Sequence, residues 1–440
     1  MRGSYPNQLY LIQSIRKQPK KKYPLKPFTI NTLQNKYKLK AFILNTLSAF
    51  HPVGGQQPIP SNPDQACRGR FKERRAEMTT PREQNYRMPA EWAPHAATWI
   101  AWPHNSEDWP GKFQPIPWVY AEIVRHLSGV EDVHILVNDL PTETRATSML
   151  RRAGANLARL HFHHWATDRV WLRDSGPIFV KNPKGDLAIT NWKFNAWAKY
   201  DNWHRDDQIP QHIAKHYDIP QFKPEVIAPN GKPHRLVLEG GSIDTNGAGV
   251  LITTEECLLS EIQQRNPGLG DEESTRKYLE QAFHDNLGID QVLWLHKGCA
   301  GDDTHGHVDD ITRFVDENTI LTAVEKNTHD ENHLPLAENL DRLRAVRNRT
   351  GKCKGEPFNI IELPMPSPVV FESQRLPASY ANFYIANDLV LVPTFNDCND
   401  RHALNIIAKC FPTRDVIGIH AVDLVWGLGT LHCMTQQEPA

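Results

Sequence analysis

Tyr120 to Asn138 reads YAEIVRHLSGVEDVHILVN, a helix pattern followed at once by a strand pattern. Tyr120, Ile123, Val124 and Leu127 recur at i, i+3, i+4 and i+7, one face of a helix, and Gly129 is placed to close it. Asp132 to Asn138 (DVHILVN) is a short apolar, β-branched run of strand length. Working outward, Val250–Thr254, Val292–Leu295, Ile320–Val324 and Leu389–Val392 repeat the strand signal. Leu404, Ile407, Ala408 and Phe411 repeat the helix signal before Pro412. This alternation from about Met88 onward predicts an α/β or α+β chain with no linker inside it. Asn327 to Pro377 is the least regular part, polar and then Pro-rich, and predicts one helix followed by a long loop.

The first 77 residues differ in kind. They hold 15 Lys and Arg against 3 Asp and Glu, leaving 35 against 48 in the remainder. Pro19, Pro24, Pro27 and a turn-rich stretch through Pro52, Gly54, Gly55, Pro58, Pro60 and Pro63 interrupt them. Such composition buries too little apolar surface to offset ordering entropy, so residues 1–77 read as a disordered basic extension. A targeting peptide is the functional alternative, but those favour Arg and Ser over Lys runs. Residues 78–440, starting at Met78, then form a single catalytic domain. Its acidic balance suits a cationic substrate and disfavours nucleic acid. No apolar run approaches the roughly 18 residues of a membrane span, so no membrane insertion is expected. Seven scattered cysteines without a C-x-x-C pair argue against a disulfide framework and a thiolate zinc site, and point to a reducing compartment such as the cytoplasm.

Five segments concentrate reactive groups. In WLRDSGPIF (Trp171–Phe179), Asp174 ends an apolar stretch where Ser-Gly-Pro turns the chain; a turn-capping Asp is the commoner meaning. In VLEGGSID (Val237–Asp244), Glu239 precedes two glycines that permit close approach of backbone or ligand; an acid before a hairpin turn is the ordinary case. GDDTHGHVDDITRF (Gly301–Phe314) is the densest. If His307–Phe314 runs as a strand, His307 and Asp309 share a face, the pairing that proton transfer needs. LPASYANFYIAN (Leu376–Asn387) offers Ser379, Tyr380 and Asn382, on a ligand-covering loop or a plain strand start. In GLGTLHCMTQQ (Gly427–Gln437), Cys433 follows His432 beyond two glycines. A lone Cys is usually a small buried hydrophobe, and Cys67, Cys257, Cys299, Cys353, Cys398 and Cys410 are read so.

In this order the five segments resemble the agmatine deiminase family of the guanidine-modifying superfamily: W-x-R-D-x-G-P, L-E-G-G-S-I, G-H-V-D, A-S-Y-x-N-F-Y-I-A-N and H-C-x-T-Q-Q. MPAEW (Met88–Trp92), WKFNAW (Trp192–Trp197) and LITTEECLL (Leu251–Leu259) add to the likeness, which spans about 88–440. Leu428 and Thr430 depart from the family's usual G-G-G-N-I-H-C, and THGHVDD departs from T-N-G-H-V-D-N. The resemblance implies a five-bladed α/β propeller of ββαβ modules around a central site. It also implies a catalytic set of Asp174, Glu239, His307, Asp309 and Cys433, and hydrolysis of agmatine to N-carbamoylputrescine and ammonia in putrescine formation, with no cofactor or metal. In that set Asp174 and Asp309 would hold the planar guanidinium, Cys433 would attack its carbon, His307 would move the proton and Glu239 would orient His307.

Bacterial peptidyl-arginine deiminases, which give citrulline, are the nearest alternative. A metal-dependent ureohydrolase is the rival from another class, since Asp303, His305, His307 and Asp309 have a spacing that invites metal. An amidinotransferase or a non-catalytic binding protein on the same scaffold stands further off. The partner implied is a small cationic guanidino compound; the sequence leaves the oligomeric state open, a homo-oligomer included.

Overall fold

The computed structural model describes residues 79–440. The expectations for residues 1–77, for Met78 and for Cys67 lie outside the described residues.

The Ile116–Val130 helix forms where the periodicity put it, and Tyr120, Ile123, Val124 and Leu127 are fully buried. Pro117 opens it at a position whose N–H has no helical partner, and Glu131, in extended conformation, ends it. The helix therefore runs through Gly129, which glycine tolerates at a cost of only about 1 kcal/mol. Its apolar face covers the next strand, Asp132–Leu136, which pairs in parallel with His95–Ala101 and with Leu160–His163. The C-terminal strand Thr435–Pro439 lies antiparallel on the other side of His95–Ala101, joining the two ends of the described chain in one sheet.

Four three-stranded sheets follow a common order: an antiparallel pair, a helix, then a strand returning in parallel. They are Ile178–Lys181, Leu187–Thr190 and Gln221–Phe222; Asp244–Thr245, Val250–Thr254 and Gln291–Leu295; Thr312–Phe314, Thr319–Val324 and Asn359–Pro364; and Tyr384–Ala386, Leu389–Thr394 and Asp415–His420. The crossover helices are Ile209–Tyr217, Glu272–Leu287, His333–Ala345 and Asp400–Cys410. A parallel return requires such a crossover, whereas the antiparallel pairs need only tight turns. The fold is mixed α/β, as the alternation predicts.

Besides Gly129, which does not end its helix, two longer stretches depart from the sequence expectation. Asn327–Pro377 is no long loop: after the His333–Ala345 helix comes the strand Asn359–Pro364, paired in parallel with Thr319–Val324, and a small hairpin of Val370–Phe371 with Gln374–Arg375. That strand is a half-exposed sheet edge, where polar residues and a terminal Pro are tolerated, so it lacks an apolar run. His307–Phe314 is not one strand either. Val308–Asp310 forms a 3-10 turn, and only Thr312–Phe314 is extended.

The reactive segments share one topological position. The Leu172–Ser175 turn, Glu239, the Val308–Asp310 turn, Asn382 and Cys433 each lie just before the strand that opens an antiparallel pair, once for each of the five sheets of three or more strands. Among the described residues no helix is long and apolar enough to cross a membrane.

Candidate active site

Asp174 sits in a single helical turn, Leu172–Ser175, rather than at a strand end. The turn closes because Gly176 N–H donates to Leu172 O at 2.9 Å, and Arg173 N–H ties it to Cys433 O at 3.1 Å. Two donors hold the carboxylate: Trp197 Nε1 to Oδ2 at 3.0 Å and Gly241 N to Oδ1 at 3.2 Å. Trp197 is delivered by three successive residues, Ala196, Trp197 and Ala198, all at positive φ. Such conformations cost on the order of 1–2 kcal/mol each, strain that a surrounding structure must hold in place.

The two glycines after Glu239 serve close approach. A Cβ on Gly240 would clash with Arg173 O; one on Gly241 would lie 2.7 Å from both Asp174 Oδ1 and His307 Nδ1. Glu239 is fully buried and its Oε1 accepts from Arg265 Nε at 3.0 Å. Its Oε2 faces His307 Nε2 at 3.9 Å, while His307 Nδ1 stands 3.7 Å from Asp174 and 4.0 Å from Asp309. The imidazole is thus ringed by three carboxylates, and neither ring nitrogen makes a hydrogen bond among the described residues.

Cys433 is buried, 3.8 Å from Asp309 Oδ2, and its sulfur accepts from Asn382 Nδ2 at 3.1 Å. Asn382 is a hub. Its Oδ1 accepts from Thr430 Oγ1 at 2.6 Å and His432 N at 3.0 Å, and its Nδ2 also donates to Asp310 Oδ1 at 2.9 Å. His432 bridges Asp309 Oδ2 at 2.6 Å and Glu91 Oε2 at 2.8 Å. Glu91 is further bound by Arg313, which also reaches Asp244 Oδ2 at 2.6 Å. Leu428 takes a left-handed conformation (φ 67°) that favours glycine, and it lines the cavity above Cys433.

Crowded burial shifts these groups apart. Burial raises Asp174 to about 7; the His307 charge opposes this, and Asp309 and Glu239 add to it. Burial also works against Glu239, but Arg265 and then His307 bring it down to about 2. For His307 burial opposes the charge, yet Asp174, Cys257 and Glu239 hold it well above the usual imidazole range. Asp309 lies below the usual range despite burial, because of His432. Burial, then Asp309, Asp310 and Asp174, push the Cys433 thiol well up. With no cation bound, the nucleophile candidate is a thiol.

All five residues singled out in sequence therefore meet. The reading missed Glu91, Arg173, Arg265 and Asp310, and saw Asn382 only as a hydrogen-bonding group. Glu91, Arg173 and Asp310 stand inside the quoted motifs, but Arg265 has no motif around it. Cys257, read as a bystander, lies within 4.8 Å of the Glu239 and His307 donor atoms. The Asp303–His305–His307–Asp309 spacing does not converge. Asp303 binds Tyr200 Oη at 2.7 Å and Lys199, and His305 turns to Ser260 Oγ at 3.0 Å. The donor triads that do cluster, among the described residues, are Glu239–Cys257–His307 and Asp309–Asp310–Cys433.

A cavity of about 240 Å³ leads to Asp174 and Cys433 between Trp171, Trp197, Tyr200 and Trp426. Glu107, Asp108 and Asp303 also line it. Asp108 is paired with Arg169 at 2.7 Å, whereas Glu107 makes no ion pair among the described residues. Residues 87–439 match the family described as Porphyromonas-type peptidyl-arginine deiminase.

The chain belongs to that family.

Within it, this member is 32% identical to the agmatine deiminase of Ectopseudomonas mendocina, over 82% of this chain and 98% of that protein. The agmatine deiminase of Pseudomonas syringae pv. tomato matches with the same identity and coverage. Among solved structures, the agmatine deiminase of Enterococcus faecalis superposes with a TM-score of 0.73 at 28% identity, covering 82% of this chain and 98% of that one. A putative arginine deiminase of Porphyromonas gingivalis gives 0.69 at 31%, covering 80% and 98%.

Proposed function

We propose that this family member is a hydrolase of guanidino C–N bonds that converts agmatine to N-carbamoylputrescine and ammonia. The carrying observation is a buried thiol beside carboxylates with acceptors to spare: Asp309 Oδ1 and Glu239 Oε2 are buried and take no hydrogen bond within the described residues. A planar, cationic guanidinium supplies paired N–H donors to Asp174 and Asp309 and offsets part of their charge. Its charge beside Cys433 lowers the thiol's pKa, so on substrate binding the thiol proton passes to solvent through the cavity and the thiolate remains. The agmatine deiminases among the relatives support the choice of substrate.

The thiolate attacks the guanidino carbon to form a tetrahedral adduct. His307, held as imidazolium, protonates the departing nitrogen, and ammonia leaves an amidino-thioether on Cys433. Water, deprotonated by the now neutral His307, attacks the same carbon. Collapse of that adduct expels the thiolate and releases the ureido product. Glu239, fixed by Arg265, keeps His307 charged. Incubation with agmatine, free arginine and an arginine peptide, with products identified by mass spectrometry, tests the reading; agmatine should yield ammonia and the ureido amine far faster than the others.

The recurrence of one reactive segment before each of five similarly ordered sheets supports a five-bladed propeller with the site on its axis. The catalytic domain is residues 78–440, with residues 1–77 an extension, and a chain starting at Met78 should keep full turnover. A thiol nucleophile suits a reducing compartment, the cytoplasm.

A further inference from the structure

Away from the cavity, histidines crowd one face of the first sheet. His134 and His161 are register partners on neighbouring strands, and His163 follows two residues on. The Ile209–Tyr217 helix adds His212 and His216, four residues apart and both exposed. The rings of His163 and His216 are 5.0 Å apart at 82°. Two imidazoles on one tetrahedral metal ion, with metal–N bonds of about 2.0–2.1 Å, have centroids roughly 5 Å apart.

The hydrogen bonds fix which nitrogen His163 presents. Glu438 Oε2 accepts from Trp99 Nε1 at 2.7 Å and from Tyr217 Oη at 3.0 Å. With its proton so used, the Tyr217 oxygen accepts from His134 Nε2 at 3.2 Å. His134 Nδ1 is then a bare acceptor for His163 Nε2–H at 2.8 Å. His163 Nδ1 is left with a free lone pair and has no partner among the described residues. A ring N–H anchored to an outer partner, with the other nitrogen bare, is the usual state of a metal-ligating histidine. His212, now stacked on Trp165 at 5.5 Å, is an exposed side chain free to turn.

We infer that His163, His212 and His216 form a surface site for a borderline divalent transition metal, of the Zn²⁺, Ni²⁺ or Cu²⁺ class, separate from the catalytic centre. Three imidazoles suit these ions; His216 already faces His163, and the set closes when His212, the i, i−4 neighbour of His216, leaves Trp165. The bound ion would pin the Ile209–Tyr217 helix to the Leu160–His163 strand.

Calorimetric titration of the full chain with NiCl2 at pH 7.5 tests it. One saturable equivalent is expected, retained in Cys433→Ala and in His164→Ala, whose side chain pairs instead with Glu143. His216→Ala and His163→Gln should each weaken binding by about tenfold or more, since even outer-shell losses cost 10–100-fold. Absence of saturable binding, equal binding by His216→Ala, or loss of binding in Cys433→Ala would each overturn the proposal. None of these readings depends on the substrate.

Discussion

Asn382 donates its side-chain Nδ2 to the Cys433 sulfur at 3.1 Å, from a position 51 residues earlier in the chain. No cation touches that sulfur among the described residues, so this amide, with the Thr430 backbone N–H, is what favours its charged form. It stabilises the thiolate and, through Oδ1, fixes the Thr430–His432 backbone that presents it. Asn382→Ala should leave buried groups unpaired, lowering stability by about 1–3 kcal/mol. It should also slow alkylation of Cys433 by a haloacetamidine at every pH where wild type reacts. Unchanged labelling would show that the contact is incidental.

The raised pKa of Asp174 couples binding to pH. The guanidinium needs the ionised carboxylate, which in the free enzyme forms only as pH rises through about 7. KM for agmatine should therefore rise as pH falls below 7, and binding near pH 7 should release protons, visible as buffer-dependent heats. A group whose folded pKa is raised contributes stability below its unfolded value, about 3.9, and that contribution is lost as pH rises through 7. Ligand-free Asp174→Asn should accordingly gain Tm over wild type between pH 4 and 7, levelling off above, while losing turnover.

Gly241→Ala tests how tightly the site is built. Its Cβ would meet Asp174 Oδ1 and His307 Nδ1 at 2.7 Å, and neither can yield without moving the other. Overpacking of this kind costs about 1–3 kcal/mol. A folded, fully active variant would mean that the site is looser than its distances.

Much of this was legible in sequence. Tyr120, Ile123, Val124 and Leu127 gave their helix because burial selects a 3.6-residue stripe, and Val250–Thr254 gave its strand because both faces are covered. Asn359–Pro364 hid because an edge strand needs no apolar run. His307 and Asp309 were correctly paired for a wrong reason. They meet around a 3-10 turn, fixed where Asp302 Oδ2 accepts from Gly306 N at 2.7 Å and His307 N at 2.9 Å. The surrounding charges, Glu91 with Arg313 and His432, or Glu239 with Arg265, join residues 26 to 341 positions apart. No local pattern encodes such a pairing.

Glu107 lines the cavity and has no ion-pair partner among the described residues, which makes it the candidate for the distal ammonium of agmatine. Glu107→Gln should raise KM for agmatine several-fold with kcat nearly unchanged, an exposed pair contributing up to about 1 kcal/mol. An alkylguanidine lacking the amine should not notice the change. Equal effects on both substrates would remove Glu107 from tail recognition.

The central claim is a covalent intermediate on Cys433, and rapid acid quench of the enzyme turning over agmatine, followed by peptide mass analysis, tests it most directly. An amidino adduct is expected on the Cys433 peptide alone, absent from inactive Cys433→Ala, and in His307→Ala both its formation and its release should slow by about 10²–10⁴. Urea as product, or turnover that survives Cys433→Ala and vanishes with EDTA, would contradict it.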